Sequence, residues 1–244
     1  MRNWDDFFTY IKTNLGFTPN TVVDVGVATD TNDLYKHFPN ANYLFVEPLE
    51  EFEPNLKYLC QKYKGNYALA AAGATNEEIT IKVTKDLGGS SRFETREHQD
   101  GFYTMKDRKV PQVTLDSLWE KCNLRGPAFL KIDVQGGELE VIKGAKNCLN
   151  NFEFIKLEVG VIEQYVGQPI FNEYISFMAE NGFVLFDIIT CHFAMTGMLA
   201  QLDLVFAKKD GIYRSNQRWF DNVDQSNRYI PDHYNGVVRN DNLI

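Results

Sequence analysis

Residues 129–145 read FLKIDVQGGELEVIKGA. The run from Phe129 to Val134 is apolar apart from Lys131 and Asp133, and the segment from Glu138 to Ala145 repeats apolar residues at helical spacing. A strand therefore gives way to a helix across Asp133–Gly137. Such a connection needs a glycine and a cap. Here Asp133, Gln135 and Glu138 add two carboxylates and an amide around Gly136 and Gly137. In an open parallel sheet, polarity gathered where a buried strand ends marks the crevice that holds a ligand.

The flanking sequence supplies the rest of such a sheet. TVVDVG (21–26), NYLFVEP (42–48) and NYALAAAG (66–73) read as three strands. Between them, ATDTNDLYKHF carries cap-type residues before a helix, and Phe52, Leu56, Leu59 and Tyr63 mark a second helix. Three βα units in succession predict a doubly wound α/β fold with helices on both faces. EEITIKVTK then reads as an added or edge strand, and Asp86–Lys109 as a long polar loop. VPQVTLDSLWEKC gives a strand end and a helix capped by Thr114, and FEFIKLEVG gives another strand. Phe171, Tyr174, Ile175 and Met178 mark a helix closed by Asn181–Gly182. FVLFDIIT and LDLVFAKK pair as a final antiparallel hairpin. The expected organisation is an N-terminal helix within 1–20, one α/β domain over 21–209, and a polar extension over 210–244. The extension could pack on the domain, contact a subunit or cover the site.

Charge and composition narrow the partners. The 244 residues carry 25 basic and 33 acidic side chains, a net charge of −8 that disfavours a nucleic-acid backbone. Cys60, Cys122, Cys148 and Cys191 are widely spaced with no CxxC pair, which suits reduced thiols. The first residues, MRNWDDFFTYIK, are acidic and amphipathic, unlike a signal peptide, and no apolar run approaches the ~20 residues that span a bilayer. The expectation is a cytoplasmic protein acting on a small molecule, without nucleic acid or membrane, and with a homo-oligomer left open.

The strand ends collect the candidate ligand-binding residues: Asp24 and Gly26, Glu47, Ala70 and Ala71, Asp133 and Gln135, and Glu158. Glu47 stands 21 residues after Gly26, where an acid can accept both hydroxyl hydrogens of a ribose. A dinucleotide site wants G-x-G-x-x-G, but Asp24–Asp30 reads DVGVATD, with one glycine between two acids. A pyrophosphate would be repelled there and a sulfonium tolerated, which favours S-adenosyl-L-methionine over NAD.

VVDVGVATD, FVEP, VTLDSL and KIDVQGGELEVIKGA, followed by LEV, resemble in order and spacing the motifs of FkbM-type S-adenosylmethionine-dependent methyltransferases. The resemblance runs from about Thr21 to Lys208. It implies a Rossmann-like class I methyltransferase fold, with a mostly parallel seven-stranded sheet and an antiparallel last strand. It places Asp24 and Gly26 in the first cofactor loop, with Asp30 at its end. Glu47, followed by Pro48, would hold the ribose, and Ala70 and Ala71 would lie by the adenine. Asp133 and Gln135 would sit at the methionine end. Ser90 and Ser91 match a small serine-containing stretch. The first loop and position 135 depart from the pattern, and Ala28 stands where an asparagine is frequent. Asp30 stands where a glycine is usual, and could cap the helix, meet the cofactor's ammonium or weaken binding. Gln135 replaces a glutamate.

Methyl transfer is an in-line displacement that rewards positioning, and a hydroxyl acceptor also gains from a general base. Asp133, Glu158 and His192 are the candidate catalytic residues, with His98 in the long loop as a further histidine. No metal is expected, because hard cations want more oxygen ligands than the rim offers. The leading reading is O-methylation of a sugar or other small molecule. The alternatives are an NAD- or nucleotide-sugar-binding enzyme, or a non-catalytic binding protein on a degenerate methyltransferase fold.

Overall fold

The structure is a computed structural model that describes residues 2–96 and 104–215. The chain divides into two units, Met1–Arg214 and Ser215–Ile244, and the second lies almost wholly outside the described residues. His98 and nearly all of the 210–244 extension are therefore not described.

Helix α1 (Trp4–Thr13) starts at Asn3, whose side chain accepts from Asp6 N at 2.9 Å, and buries Phe7, Phe8 and Ile11. Strands β1 (Thr21–Val25), β2 (Asn42–Glu47) and β3 (Gly65–Leu69) follow, with α2 (Asn32–Tyr35) and α3 (Glu53–Lys62) between them. The helix expected from ATDTNDLYKHF is thus a single turn. The chain then leaves the sheet through β4 (Ala71–Ala72), β5 (Glu77–Thr84) and β6 (Met105–Val113). It returns with α4 (Leu115–Lys121), β7 (Ala128–Ile132), α5 (Glu138–Lys143), β8 (Phe152–Gly160), α6 (Phe171–Glu180), β9 (Phe183–Phe193) and β10 (Leu199–Lys208).

The seven-stranded sheet has the order β3-β2-β1-β7-β8-β10-β9. Neighbours from β3 to β8 are parallel, and β10 is antiparallel to both β8 and β9. Every residue of β1 and β7 is buried, as expected of central strands covered on both faces. Alternation divides the core. Val23, Val25, Leu130 and Ile132 face α4, α5 and α6. Val22, Phe45, Phe129 and Phe154 face the aromatic residues of α1 and α2. The chain runs outward through β1, β2 and β3 and restarts beside β1 at β7, so the order reverses between β1 and β7. A crevice opens there beyond the carboxyl ends of the strands.

Two expectations change. The third strand does not run through to Gly73. It ends at Leu69, and Ala71–Ala72 pairs instead with β6 in a separate three-stranded sheet of order β4-β6-β5. The polar stretch 105–109, read as loop, is the first half of β6. It pairs antiparallel with β5, and cross-strand ion pairs stabilise it: Lys82–Asp107 and Lys109–Glu78, each at 2.7 Å. Among the described residues Leu49, Ile81, Val83 and Val110 cover one face of this small sheet; β5 shows the matching alternation at Ile79, Ile81 and Val83, whereas the charged run from Lys106 to Lys109 of β6 hides it. Among the described residues no helix is long and apolar enough to cross a membrane.

Candidate functional site

A cavity of about 560 Å³ lies at the switch point, within the range of small-molecule sites. Gly26, Asp30, Glu47, Pro48, Ala70, Ala71, Ser91, Asp133, Gln135, Glu158 and His192 all line it. Residues taken from strand ends far apart in the chain thus meet in one space. Asp24 is the exception. It is fully buried beneath the floor, where it accepts a hydrogen bond from Tyr35 Oη. Its Oδ1 lies 3.1 Å from Lys131 Nζ, close enough for an ion pair but without a hydrogen-bond donor.

One end of the cavity is an apolar slot. Pro48, Leu49, Phe52, Ala71, Ile79, Ile81 and Leu87 line it, several of them from the small sheet. At its edge Glu47 is held by two backbone amides: Ala28 N donates to Oε2 and Leu49 N to Oε1, each at 3.0 Å. Each carboxylate oxygen keeps a second lone pair. Burial raises the Glu47 pKa against the pull of these two amides. Ala28 reaches Glu47 from a left-handed backbone conformation (φ 47°) that a non-glycine residue adopts at a cost. Asp30 Oδ1 accepts from Asn32 N at 3.2 Å and so turns the chain into α2. Gly26 is dictated by its neighbour strand: at φ 76°, a Cβ there would lie 1.8 Å from Asp133 O.

The floor is a row of charges on the face that Phe129 and Phe154 fill lower down. Strand periodicity puts Phe129, Lys131 and Asp133 on one side of β7, and Phe154, Lys156 and Glu158 on the same side of β8. Lys131 Nζ donates to Gly26 O at 2.6 Å and stands 3.9 Å from Asp133 Oδ2. Lys156 Nζ lies 2.6 Å from Asp203 Oδ1 and 3.6 Å from Asp133 Oδ2. His192 Nε2 is 3.6 Å from Asp203 Oδ2. Lys131 and Lys156 thus stand side by side on β7 and β8, flanked by Asp24 on β1 and Asp203 on β10, with Asp133 above them. Burial alone would raise the Asp133 pKa, but the Lys156 and Lys131 ammonium groups outweigh it and hold the carboxyl below its usual range. Glu158 goes the other way: burial and the neighbouring Asp133 charge raise it well above an ordinary glutamate. The two carboxyls are thus pushed in opposite directions, Asp133 toward its ionised form and Glu158 toward its protonated form.

Gln135 joins them. Its Nε2 donates to Asp133 Oδ1 and to Glu158 Oε2, both at 2.9 Å. Tyr165 Oη donates to its Oε1 at 2.7 Å, and Ser91 Oγ to its backbone carbonyl at 2.6 Å. Glu138 does not reach the cavity. Its carboxyl is buried, accepts from Val134 N and Gly136 N at 3.1 Å each, and accepts from Tyr174 Oη at 2.5 Å, so it shapes the Asp133–Gly137 turn. Residues not singled out from sequence also contribute. Lys131, Lys156, Asp203 and Arg92 line the cavity, and Trp4 of α1 closes its far end with its ring 5.3 Å from Lys156 Nζ. The lysines and Asp203 carried a signal, each being a charge inside an apolar strand; Trp4 carried none.

Comparison with known proteins adds a family. The model of the methyltransferase FkbM domain matches residues 17–185, most of the chain. No curated protein matches it in sequence. Three solved structures are similar in fold. Magnesium protoporphyrin IX methyltransferase from Synechocystis PCC 6803, solved with bound S-adenosylmethionine, is 9% identical over 84% of this chain and 77% of that one (TM-score 0.46). The 1,6-didemethyltoxoflavin-N1-methyltransferase of Burkholderia thailandensis is 10% identical over 83% and 76% (TM-score 0.42). The precorrin-6y C5,15-methyltransferase of Geobacter metallireducens is 12% identical over 82% and 87% (TM-score 0.41).

Proposed function

The chain belongs to the methyltransferase FkbM domain family, and from that membership we propose that it moves a methyl group from S-adenosylmethionine to a hydroxyl of a sugar or other small polar molecule. The observation that carries this reading is the pairing, in one cavity, of a pinned ribose-type acceptor with an ionised carboxylate. Glu47 offers one free lone pair on each oxygen beside an apolar slot suited to a flat base. At the other end, the Lys131 and Lys156 ammonium groups, which also face Asp24 and Asp203, hold Asp133 toward its charged form. Such a crevice favours a ligand with positive charge at the Asp133 end.

The residues present therefore fit the cofactor. Glu47 would hold the ribose hydroxyls, with Pro48, Ala70 and Ala71 flanking the base and Asp133 the methionine end. Asp30, Ser91 and Gln135 shape the walls, and Gly26 and Asp24 hold the floor to which those walls attach. When bound, S-adenosylmethionine supplies a methyl carbon made electrophilic by the positive sulfur. The acceptor would enter beside Trp4, Lys156 and His192. With Asp203 beside Nε2, His192 would turn its other ring nitrogen to the acceptor hydroxyl and take its proton. Asp133, whose ionised form the two lysines favour, would orient the ligand and balance charge, and Glu158, joined to it through Gln135, would help to hold it in place.

Release of S-adenosylhomocysteine from S-adenosylmethionine, measured across a panel of hydroxylated acceptors, tests the reaction. His192→Ala should lower turnover on a responsive acceptor by about 10²–10⁴-fold with product affinity unchanged. Undiminished turnover would remove His192 from the mechanism.

A further inference from the structure

The Gln135 amide stands at the meeting point of the two site carboxyls, and its orientation is chemically fixed. An ionised Asp133 can only accept, so the group facing it must be the N–H end. The same nitrogen reaches Glu158, and Tyr165 Oη supplies the donor that the amide oxygen needs. The amide is thus satisfied on both sides. The backbone holds it there at φ 57°, a strained conformation for a side-chain-bearing residue, tied by Ser91 to the segment after β5. A neutral double donor between two carboxyls does what a cation between them would do, without the charge.

We propose that Gln135 is a positioning residue that bridges Asp133 and Glu158 with its two amide hydrogens, and that its neutrality is what lets this pair work without a divalent cation between them. The inference rests on the reading of this cavity as the methyl-transfer site only for its meaning; the bridge itself is testable without cofactor or acceptor. A carboxylate at position 135 would face two others across the same 2.9 Å contacts. Tyr165 could donate one hydrogen bond to it but brings no positive charge. Three converging carboxyl groups are the oxygen-rich environment that calcium or magnesium prefers. The other charged groups nearest the pair are Lys131 on β7, Lys156 on β8 and Asp203 on β10, with Glu138 of α5 buried behind the turn. The two lysines are held by Asp24 and Asp203, so neither is free to replace the amide. Burial and the Asp133 charge both favour the protonated form of Glu158 in this arrangement.

The experiment compares wild type, Gln135→Glu and Gln135→Leu by thermal melting with calcium chloride or magnesium chloride as the only addition, and by infrared spectroscopy of the protonated-carboxyl band. Wild type should be indifferent to both salts beyond an ionic-strength control, and should show a carboxylic-acid band at neutral pH that Glu158→Gln abolishes. Gln135→Glu should melt several degrees lower without cation, recover with calcium, and lose the acid band as it does so. Gln135→Leu should melt lower and recover with neither salt. Stabilisation of wild type by either cation that Asp133→Asn removes would overturn the proposal, as would a Gln135→Glu protein that ignores both cations. If Gln135→Glu does not fold, the wild-type cation titration and the Glu158→Gln infrared comparison decide the matter alone. Failure of S-adenosylhomocysteine to bind, with these results intact, would instead count against the assigned cofactor.

Discussion

Lys156 Nζ lies 2.6 Å from Asp203 Oδ1, and both side chains are almost entirely shut away from water. The pair is the pivot of the charged floor: Lys156 also faces Asp133, and Asp203 also faces His192. Burial would lower the lysine's pKa, but Asp133 and Asp203 outweigh it and leave the ammonium more firmly protonated than in water. The pair thus stands between the Asp133 carboxylate and the His192 ring.

Removing one member should be costly. Lys156→Ala leaves Asp203 and Asp133 without their shared cation, and breaking a buried pair costs about 3–5 kcal/mol. Chemical denaturation should show a loss of that size. The double change Lys156→Met with Asp203→Leu should recover most of it, because an apolar replacement removes both charges. A single variant within about 1 kcal/mol of wild type would mean that the row is not the structural element described.

Glu47→Gln should weaken S-adenosylhomocysteine binding by about 10- to 100-fold, as expected for loss of a hydrogen bond to a charged group. Calorimetric titration measures it. The amide would also turn an NH₂ toward Ala28 N or Leu49 N, so a modest loss of stability should accompany the change. Unaltered affinity would remove Glu47 from the ribose role.

Stability should depend on pH through Glu158. Its folded pKa is raised, so its contribution is fully present below the ordinary glutamate value of 4.5 and is lost as pH rises through the folded value. Glu158→Gln cannot ionise. Its stability relative to wild type should therefore climb as pH rises across that window. Parallel melting curves for the two proteins from acid to mildly alkaline pH would contradict the protonated assignment.

Gly26→Ala should destabilise by at least the 1–2 kcal/mol of a left-handed alanine, with the Asp133 carbonyl contact adding to it. For a domain of this size that is a drop of roughly 2–8 °C in melting temperature. An unchanged melting temperature would show that the β1 and β7 ends can separate freely.

Much of this arrangement was legible in the residues. FLKIDV and FIKLEV each set a phenylalanine, a lysine and a carboxylate two residues apart, so strand alternation alone puts all three on one face. The reversal of strand order beside β1 then makes that face the wall of a crevice. Asp203 was legible in the same sense, as an acid inside LDLVF, yet its partners lie on two other strands and no local pattern names them. Gln135 could be seen as a departure from a motif but not as a bridge, because Glu158 and Tyr165 lie 23 and 30 residues away. The first half of β6 was hidden for a different reason. Its strand is supported by ion pairs across a half-covered sheet, and a polar strand of that kind carries no apolar period. Trp4 reaches the cavity from a helix whose sequence announces only a buried face.

The central claim is that the cavity between Glu47 and Asp133 receives the methyl donor. A thermal-shift titration of the full chain with S-adenosylhomocysteine, run beside NAD, tests it most directly. At about 100 times its dissociation constant the product should add ~2.7 kcal/mol, a rise of roughly 5–11 °C, which Glu47→Gln diminishes and NAD does not reproduce. No shift with S-adenosylhomocysteine, or an equal shift with NAD, would contradict the account.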